Sequence, residues 1–152
     1  MMDDLRELYQ ATILDHNKKP RNFRVLEDAT HEADGHNPLC GDQLTLYARV
    51  NGAGVVEDIS FQGSGCAISK ASASLMTEFV RGKTVEEVNE IFEGFHELVT
   101  SSPGGEARTE GLGKLAVFAG VREYPMRVKC ATLAWHALRA ALEGEGGTAK
   151  TE

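Results

Sequence analysis

Two stretches of alternating polarity, held apart by a four-residue connection, constrain this chain more than any other feature. Leu44, Leu46 and Ala48 alternate with Thr45, Tyr47 and Arg49, and Val55-Val56-Glu57-Asp58-Ile59-Ser60-Phe61 follows after Asn51-Gly52-Ala53-Gly54. A period of two marks a strand with one buried face, and Asn and Gly tolerate the positive φ of a reversal. Residues 43–50 and 55–62 therefore read as an antiparallel hairpin. The second strand runs into Gly63-Ser64-Gly65, after which the apolar spacing switches to three and four. Ile68, Ala71, Leu75, Met76 and Phe79 mark the buried face of a helix over about 67–81.

Helices dominate the remainder. Leu5, Leu8, Tyr9, Thr12, Ile13 and His16 form a stripe over residues 3–18, with Asp3 or Asp4 as cap and Pro20 as stop. His16 lies on that stripe and reads as a satisfied core group rather than a ligand. Residues 20–41 are loop-rich, with a short strand expected around 29–34; His31 and His36 fall here, and their spacing demands no metal. Thr84 and Glu87 form a capping box that opens a helix reaching about Leu98. Ser101-Ser102-Pro103-Gly104-Gly105 is a loop, and residues 109–121 read as helical despite Gly111, Gly113 and Gly120. A last helix, from about Met126 to Glu143, carries its core stripe on Val128, Ala131, Trp135, Leu138 and Leu142. Residues 144–152 read as a flexible tail after a single domain, 1–143. The expected fold class is α+β, a small antiparallel sheet packed by several helices.

A length of 152 residues fits one domain, and 41% apolar with 26% charged residues excludes a disordered chain. The longest apolar run, Leu115 to Val121, is far short of the about 20 residues that a membrane-spanning helix needs. The start, Met1-Met2-Asp3-Asp4, is acidic rather than apolar, so no secretion signal is expected and the chain is placed in the cytoplasm. The net charge of −7 disfavours phosphate backbones and anionic lipid; neither nucleic acid nor membrane is an expected partner. The one basic cluster, Lys18, Lys19, Arg21 and Arg24, reads as the cationic end of the first helix.

The cysteines carry the chemistry. There are three, Cys40, Cys66 and Cys130, and no C-x-x-C pair. An odd count argues against a disulfide framework, leaving three inert core thiols or one converged site. In Cys40-Gly41-Asp42, side chains two apart ahead of a strand face the same way, so thiol and carboxylate can share a point in space. A turn aspartate beside a buried cysteine would look the same. Cys66 opens a helix, where the dipole favours thiolate. It also ends the strand that pairs with the one beginning after Cys40, so Cys66 is expected near Cys40 and Asp42. Cys130 lies off the main stripe of the last helix, on a stripe with Leu133, Ala134, Ala137 and Ala141. Arg127 stands three residues earlier on the same face, where a cation would stabilise thiolate. His136 is about 240° around the helix from Cys130 and is rejected as its co-ligand. Three thiolates and a carboxylate could hold zinc or iron.

Three stretches resemble the NifU/IscU-like family of iron–sulfur cluster assembly proteins. They run from Leu8-Tyr9 through Ile13-Leu14-Asp15-His16 to Pro20-Arg21-Asn22, then Asn37-Pro38-Leu39-Cys40-Gly41-Asp42, then Gly63-Ser64-Gly65-Cys66-Ala67-Ile68-Ser69. Lys129 stands before the third cysteine, where the scaffolds of the family carry histidine. Tyr124-Pro125-Met126-Arg127-Val128-Lys129 keeps little of their Leu-Pro-Pro-Val-Lys motif, and the interval between Cys66 and Cys130 is longer. Lys129 to His136 is similar to the SufU branch. That resemblance implies Zn²⁺ held by Cys40, Asp42, Cys66 and Cys130. It further implies a sulfurtransferase role, with a SufS-type cysteine desulfurase as persulfide donor and downstream iron–sulfur assembly proteins as recipients. Cys40 is the expected catalytic nucleophile, because it sits on an irregular loop and can move without breaking a helix; the family mechanism implies that a histidine of the desulfurase replaces it on zinc. Arg127 is a candidate neighbour of the site on helical spacing alone. The alternatives are a scaffold carrying a [2Fe–2S] cluster on the same four residues, and a binding module with structural zinc.

Overall fold

A computed structural model describes residues 2–37, 41–101, 112–143 and 148–150. Cys40, the loop from Ser102 to Gly105, residues 109–111 and residues 144–147 lie outside that description, as do the side chains of Leu5, Leu8 and Tyr9.

Helix α1 (Met2–Lys18) leads to strands β1 (His31–Asn37), β2 (Asp42–Val50) and β3 (Val56–Ser64). Helices α2 (Ala67–Val80) and α3 (Val85–Thr100), a 3-10 helix (Gly113–Glu123), α4 (Pro125–Leu142) and the short strand β4 (Thr148–Lys150) follow. The sheet order is β3-β2-β1-β4. The first three strands are antiparallel, whereas β4 runs parallel to β1, with Asp34, Gly35 and His36 opposite Thr148, Ala149 and Lys150. Within the tail expected to be flexible over 144–152, Thr148–Lys150 pair with β1. Three residues without an apolar pattern give no local signal, and they form a strand because β1 offers them backbone partners.

The hairpin forms as its alternation predicts. Leu44, Leu46 and Ala48 are buried, and Asn51 organises the reversal by accepting hydrogen bonds on its side-chain Oδ1 from the N–H groups of Ala53 (2.9 Å) and Val55 (3.0 Å). Strand β1 alternates too, with Ala33, Gly35 and Asn37 turned inward. Gly35 lies under α4, where an added Cβ would sit 3.3 Å from Ala137 Cβ and Leu133 Cδ1. Its bare backbone lets that helix settle close to the sheet.

The core lies between the sheet and the helices. Trp135 is fully buried, stacked on Phe95 with ring centroids 4.8 Å apart, and Phe118 meets Phe95 edge-on. The capping box of α3 is present, Glu87 N–H to Thr84 Oγ1 at 3.1 Å and Thr84 N–H to Glu87 Oε1 at 3.1 Å. Helix α2 differs from its expected single stripe. Ile68 and Phe79 are only half-buried, while Ser69 and every residue from Ala71 to Thr77 are buried. The helix is wedged between α1 and α4, so its small serines and alanines suit close approach on two sides. The serines are satisfied: Ser72 Oγ donates to the Ala131 carbonyl (2.5 Å) and accepts from Trp135 Nε1 (3.2 Å). The segment read as helical near 109–121 is, from Gly113 on, a 3-10 helix, and Leu112, Leu115, Phe118 and Val121 are all buried at steps of three. Side chains three apart eclipse in that geometry, so one narrow stripe meets the core.

His16 is buried at the α1–α2 contact, with Nδ1 2.7 Å from Ser74 Oγ, which also accepts the Arg21 N–H at 2.8 Å. The Arg21 guanidinium pairs with Asp15 (2.7 Å) and Arg24 with Asp58 (2.9 Å), so part of the basic cluster serves the chain's own carboxylates. Burial holds the His16 imidazole below the ordinary histidine range; Arg21 reinforces this and Glu78 opposes it. A depressed folded pKa means that the stability from neutral His16 is present above about pH 6.5 and is lost as pH falls through the folded value. His16→Gln is expected to cost about 1–2 kcal/mol at pH 7.5 and to flatten the loss of stability below about pH 6.5. Urea melts across pH check both; an unchanged slope in the variant would show that His16 does not titrate in this range.

Candidate metal centre

The register of the sheet builds one side of the site. Asn37 is the Cα partner of Asp42 at the end of the β1–β2 pair, and Gln43 is the partner of Ser64 on β3. Asp42 therefore lies beside the chain as it leaves β3 for α2. Its buried carboxylate accepts the Cys66 N–H on Oδ1 at 2.8 Å, and Oδ2 is 3.6 Å from Cys66 Sγ. A Cβ at Gly65 would fall 2.8 Å from Asp42 Oδ1, so glycine there leaves room for the carboxylate.

Cys66 is the N-cap of α2, and its sulfur accepts the Ser69 N–H at 3.4 Å. This is the helix N-terminus expected to favour thiolate. Cys130 comes from the second turn of α4, buried on the same stripe as Leu133, Ala134, Ala137 and Ala141. Asn37 Nδ2 donates toward Cys130 Sγ at 3.9 Å. The Cys66 thiol is lowered to about 7: the hydrogen bond with Cys130 is the largest cause, burial opposes it, and the Ser69 N–H adds to the lowering. The Asp42 carboxylate pushes the other way.

One ligand atom from each of Asp42, Cys66 and Cys130 lies within 4.8 Å of the others. These groups come from a strand, a helix N-terminus and a distant helix. Gathering a carboxylate and two thiols in a largely buried space favours a cation that neutralises them, and the donor set suits zinc or iron. Cys40 lies outside the described residues. Arg127 is exposed, its guanidinium carbon 4.4 Å from the centroid of the Tyr124 ring. His31 and His36 are not part of the cluster, and His136 packs against Phe92 instead, ring centroids 5.4 Å apart. Sequence reasoning passed over Asn37. Its signal is a polar side chain in phase with inward-facing Ala33 and Gly35.

The comparisons with known proteins assign the fold to the iron–sulfur cluster assembly proteins. The NifU-like N-terminal domain model matches residues 8–131, and the chain belongs to that family. It is 39% identical over 144 residues to the zinc-dependent sulfurtransferase SufU of Bacillus subtilis (strain 168), covering 95% of each chain. It is 41% identical over 137 residues to the iron–sulfur cluster assembly scaffold protein IscU of Thermotoga maritima, covering 90% of this chain and 93% of that one. The solved structure of FiSufU from Fervidobacterium islandicum AW-1 matches with a TM-score of 0.80 at 36% identity, over 90% of this chain and 97% of that one. Among the described residues, no helix is long and apolar enough to cross a membrane.

Proposed function

We propose that this chain is a zinc-dependent sulfurtransferase that accepts persulfide sulfur from a SufS-type cysteine desulfurase for iron–sulfur cluster assembly in the cytoplasm. The observation that carries this reading is the gathering of Asp42, Cys66 and Cys130 within 4.8 Å, two residues along the chain from a third cysteine. The similarity to SufU of Bacillus subtilis supports it, and Lys129 before Cys130 favours it over the scaffold reading. Cys40, Asp42, Cys66 and Cys130 are the four proposed ligands. Zinc bound among them would supply the positive charge that keeps thiols ionised at neutral pH.

The chain's residues do the rest. The N-terminus of α2 holds the Cys66 sulfur through the Ser69 N–H, and Asp42 ties the Cys66 backbone to β2. Cys40 is the proposed nucleophile. Its thiolate attacks the terminal sulfur of the donor persulfide; one S–S bond forms at Cys40, the donor S–S bond breaks, and the donor cysteine leaves as thiolate. A thiolate is consumed and a thiolate released, so no outside oxidant is required. Arg127, one turn before Cys130, offsets the net negative charge of the ligand set at longer range.

The test is desulfurase turnover with and without this protein, together with metal content after anaerobic purification. One zinc per chain and saturable stimulation are the expected results. Stoichiometric iron and sulfide without stimulation would establish the scaffold reading that the IscU relative suggests. Asp42→Ala is expected to speed zinc loss to a chelator by more than the roughly 10–100-fold that loss of an outer partner costs. Unchanged zinc retention would remove Asp42 from the ligand set.

A further inference from the structure

We infer that Asn37 is a positioning residue of this site, whose side-chain amide fixes the Cys130 sulfur as a retained ligand while its backbone anchors the segment that delivers Asp42. The inference rests on the metal-site reading above and goes beyond it in saying which sulfur is held back from reaction.

Asn37 closes β1 at an inward-facing position and is fully buried. Burying an amide there is costly unless the group is hydrogen-bonded, and an aliphatic side chain would fill the same row at no such cost. Its amide donates toward Cys130 Sγ at 3.9 Å, linking residues 93 apart in sequence. Its carbonyl accepts the Gly41 N–H at 2.9 Å, where Gly41 adopts φ +71°, and it is the Cα partner of Asp42. One residue thus meets both the end of β2 that carries the carboxylate and the helix that carries the thiol. The closeness of α4 to Gly35, two residues earlier on the same face, makes that reach possible.

A thiolate that accepts an N–H hydrogen bond gives up part of its charge to the donor. It is stabilised as an anion and weakened as a nucleophile. Cys66 has a backbone donor of this kind in the Ser69 N–H, and Cys130 has Asn37. Both of these sulfurs are held by N–H donors, which weakens each as a nucleophile and agrees with the role proposed for Cys40.

The test uses the full chain with Co²⁺ in place of zinc and two variants. Asn37→Asp is isosteric but exchanges the donor for an anionic acceptor, and Asn37→Ser keeps a shorter donor in a smaller space. The sulfur-to-cobalt charge-transfer band is expected to move to lower energy in Asn37→Asp, with metal release to a chelator faster by roughly 10–100-fold. Asn37→Ser should fall between it and the wild type. Urea melts of the metal-free proteins report the fold separately. Variants that fold and bind Co²⁺ with the wild-type band and release rate would overturn the inference. So would variants that fail to fold with or without metal, because Asn37 would then be a structural group only. A wild-type chain that shows no thiolate-to-cobalt band would overturn the metal reading itself, and this inference with it.

Discussion

Replacing Cys40 with alanine is expected to abolish sulfur acceptance and desulfurase stimulation, down to the background of the desulfurase alone, while unfolding stays cooperative. The three other donors are held by elements that do not depend on this thiol. Asp42 is fixed by β2 and the Cys66 N–H, Cys66 by the start of α2, and Cys130 by a helix packed on β1. The largest buried side chains, Trp135, Phe95 and Phe118, belong to α4, α3 and the 3-10 helix. No group but a thiolate can take sulfane sulfur into a new S–S bond at that position. Far-UV circular dichroism, a urea melt and a desulfurase assay on one preparation decide the matter. A folded variant that stimulates the desulfurase fully would be incompatible with Cys40 as the nucleophile.

Gly63→Val is expected to cost about 3 kcal/mol or more, one of the largest single effects available in this chain. Gly63 adopts φ +145°, which side-chain-bearing residues rarely adopt, and a Cβ there would lie 2.2 Å from the Gln43 carbonyl oxygen and 2.5 Å from Leu44 Cα. Both are backbone atoms of the paired strand and cannot rotate away. Relief requires opening the β2–β3 ladder at Leu44↔Gly63, beside the pair that sets Asp42 against the start of α2. The variant should therefore lose metal affinity along with stability. The midpoint of urea unfolding in the metal-free protein measures the first and chelator competition the second. A wild-type midpoint would contradict the close strand approach at this glycine.

How much of this could be read in advance follows from where each signal resides. The hairpin, the capped α3 and the stripes of α4 are local patterns of period two or near four, and all are present. The approach of Asp42 and Cys66 was legible because antiparallel pairing brings the start of one strand to the end of the next. Strand β1 was only dimly visible, since His31-Glu32-Ala33-Asp34-Gly35-His36-Asn37 holds one aliphatic residue. It is a strand because β2 pairs with it and α4 packs on Gly35. The buried serines of α2 lay outside the stripe read from the sequence, and α1 and α4 supply the partners of Ser74 and Ser72. The three-residue repeat of Leu112, Leu115, Phe118 and Val121 was in plain view, and the reading of this stretch as helical did not use it to tell a 3-10 helix from an α-helix. Helical spacing put Arg127 on the Cys130 face, yet spacing says nothing of the Tyr124 ring that it meets.

Strand β4 has a consequence for the company the chain keeps. With β2 on one flank and β4 along part of the other, β1 is an interior strand over Asp34–His36, just before the residue that contacts Cys130. Backbone groups already engaged there are not open to templated growth by a stray extended peptide. The backbone beside the candidate metal centre is thus shielded from the cross-molecular pairing that leads to fibres.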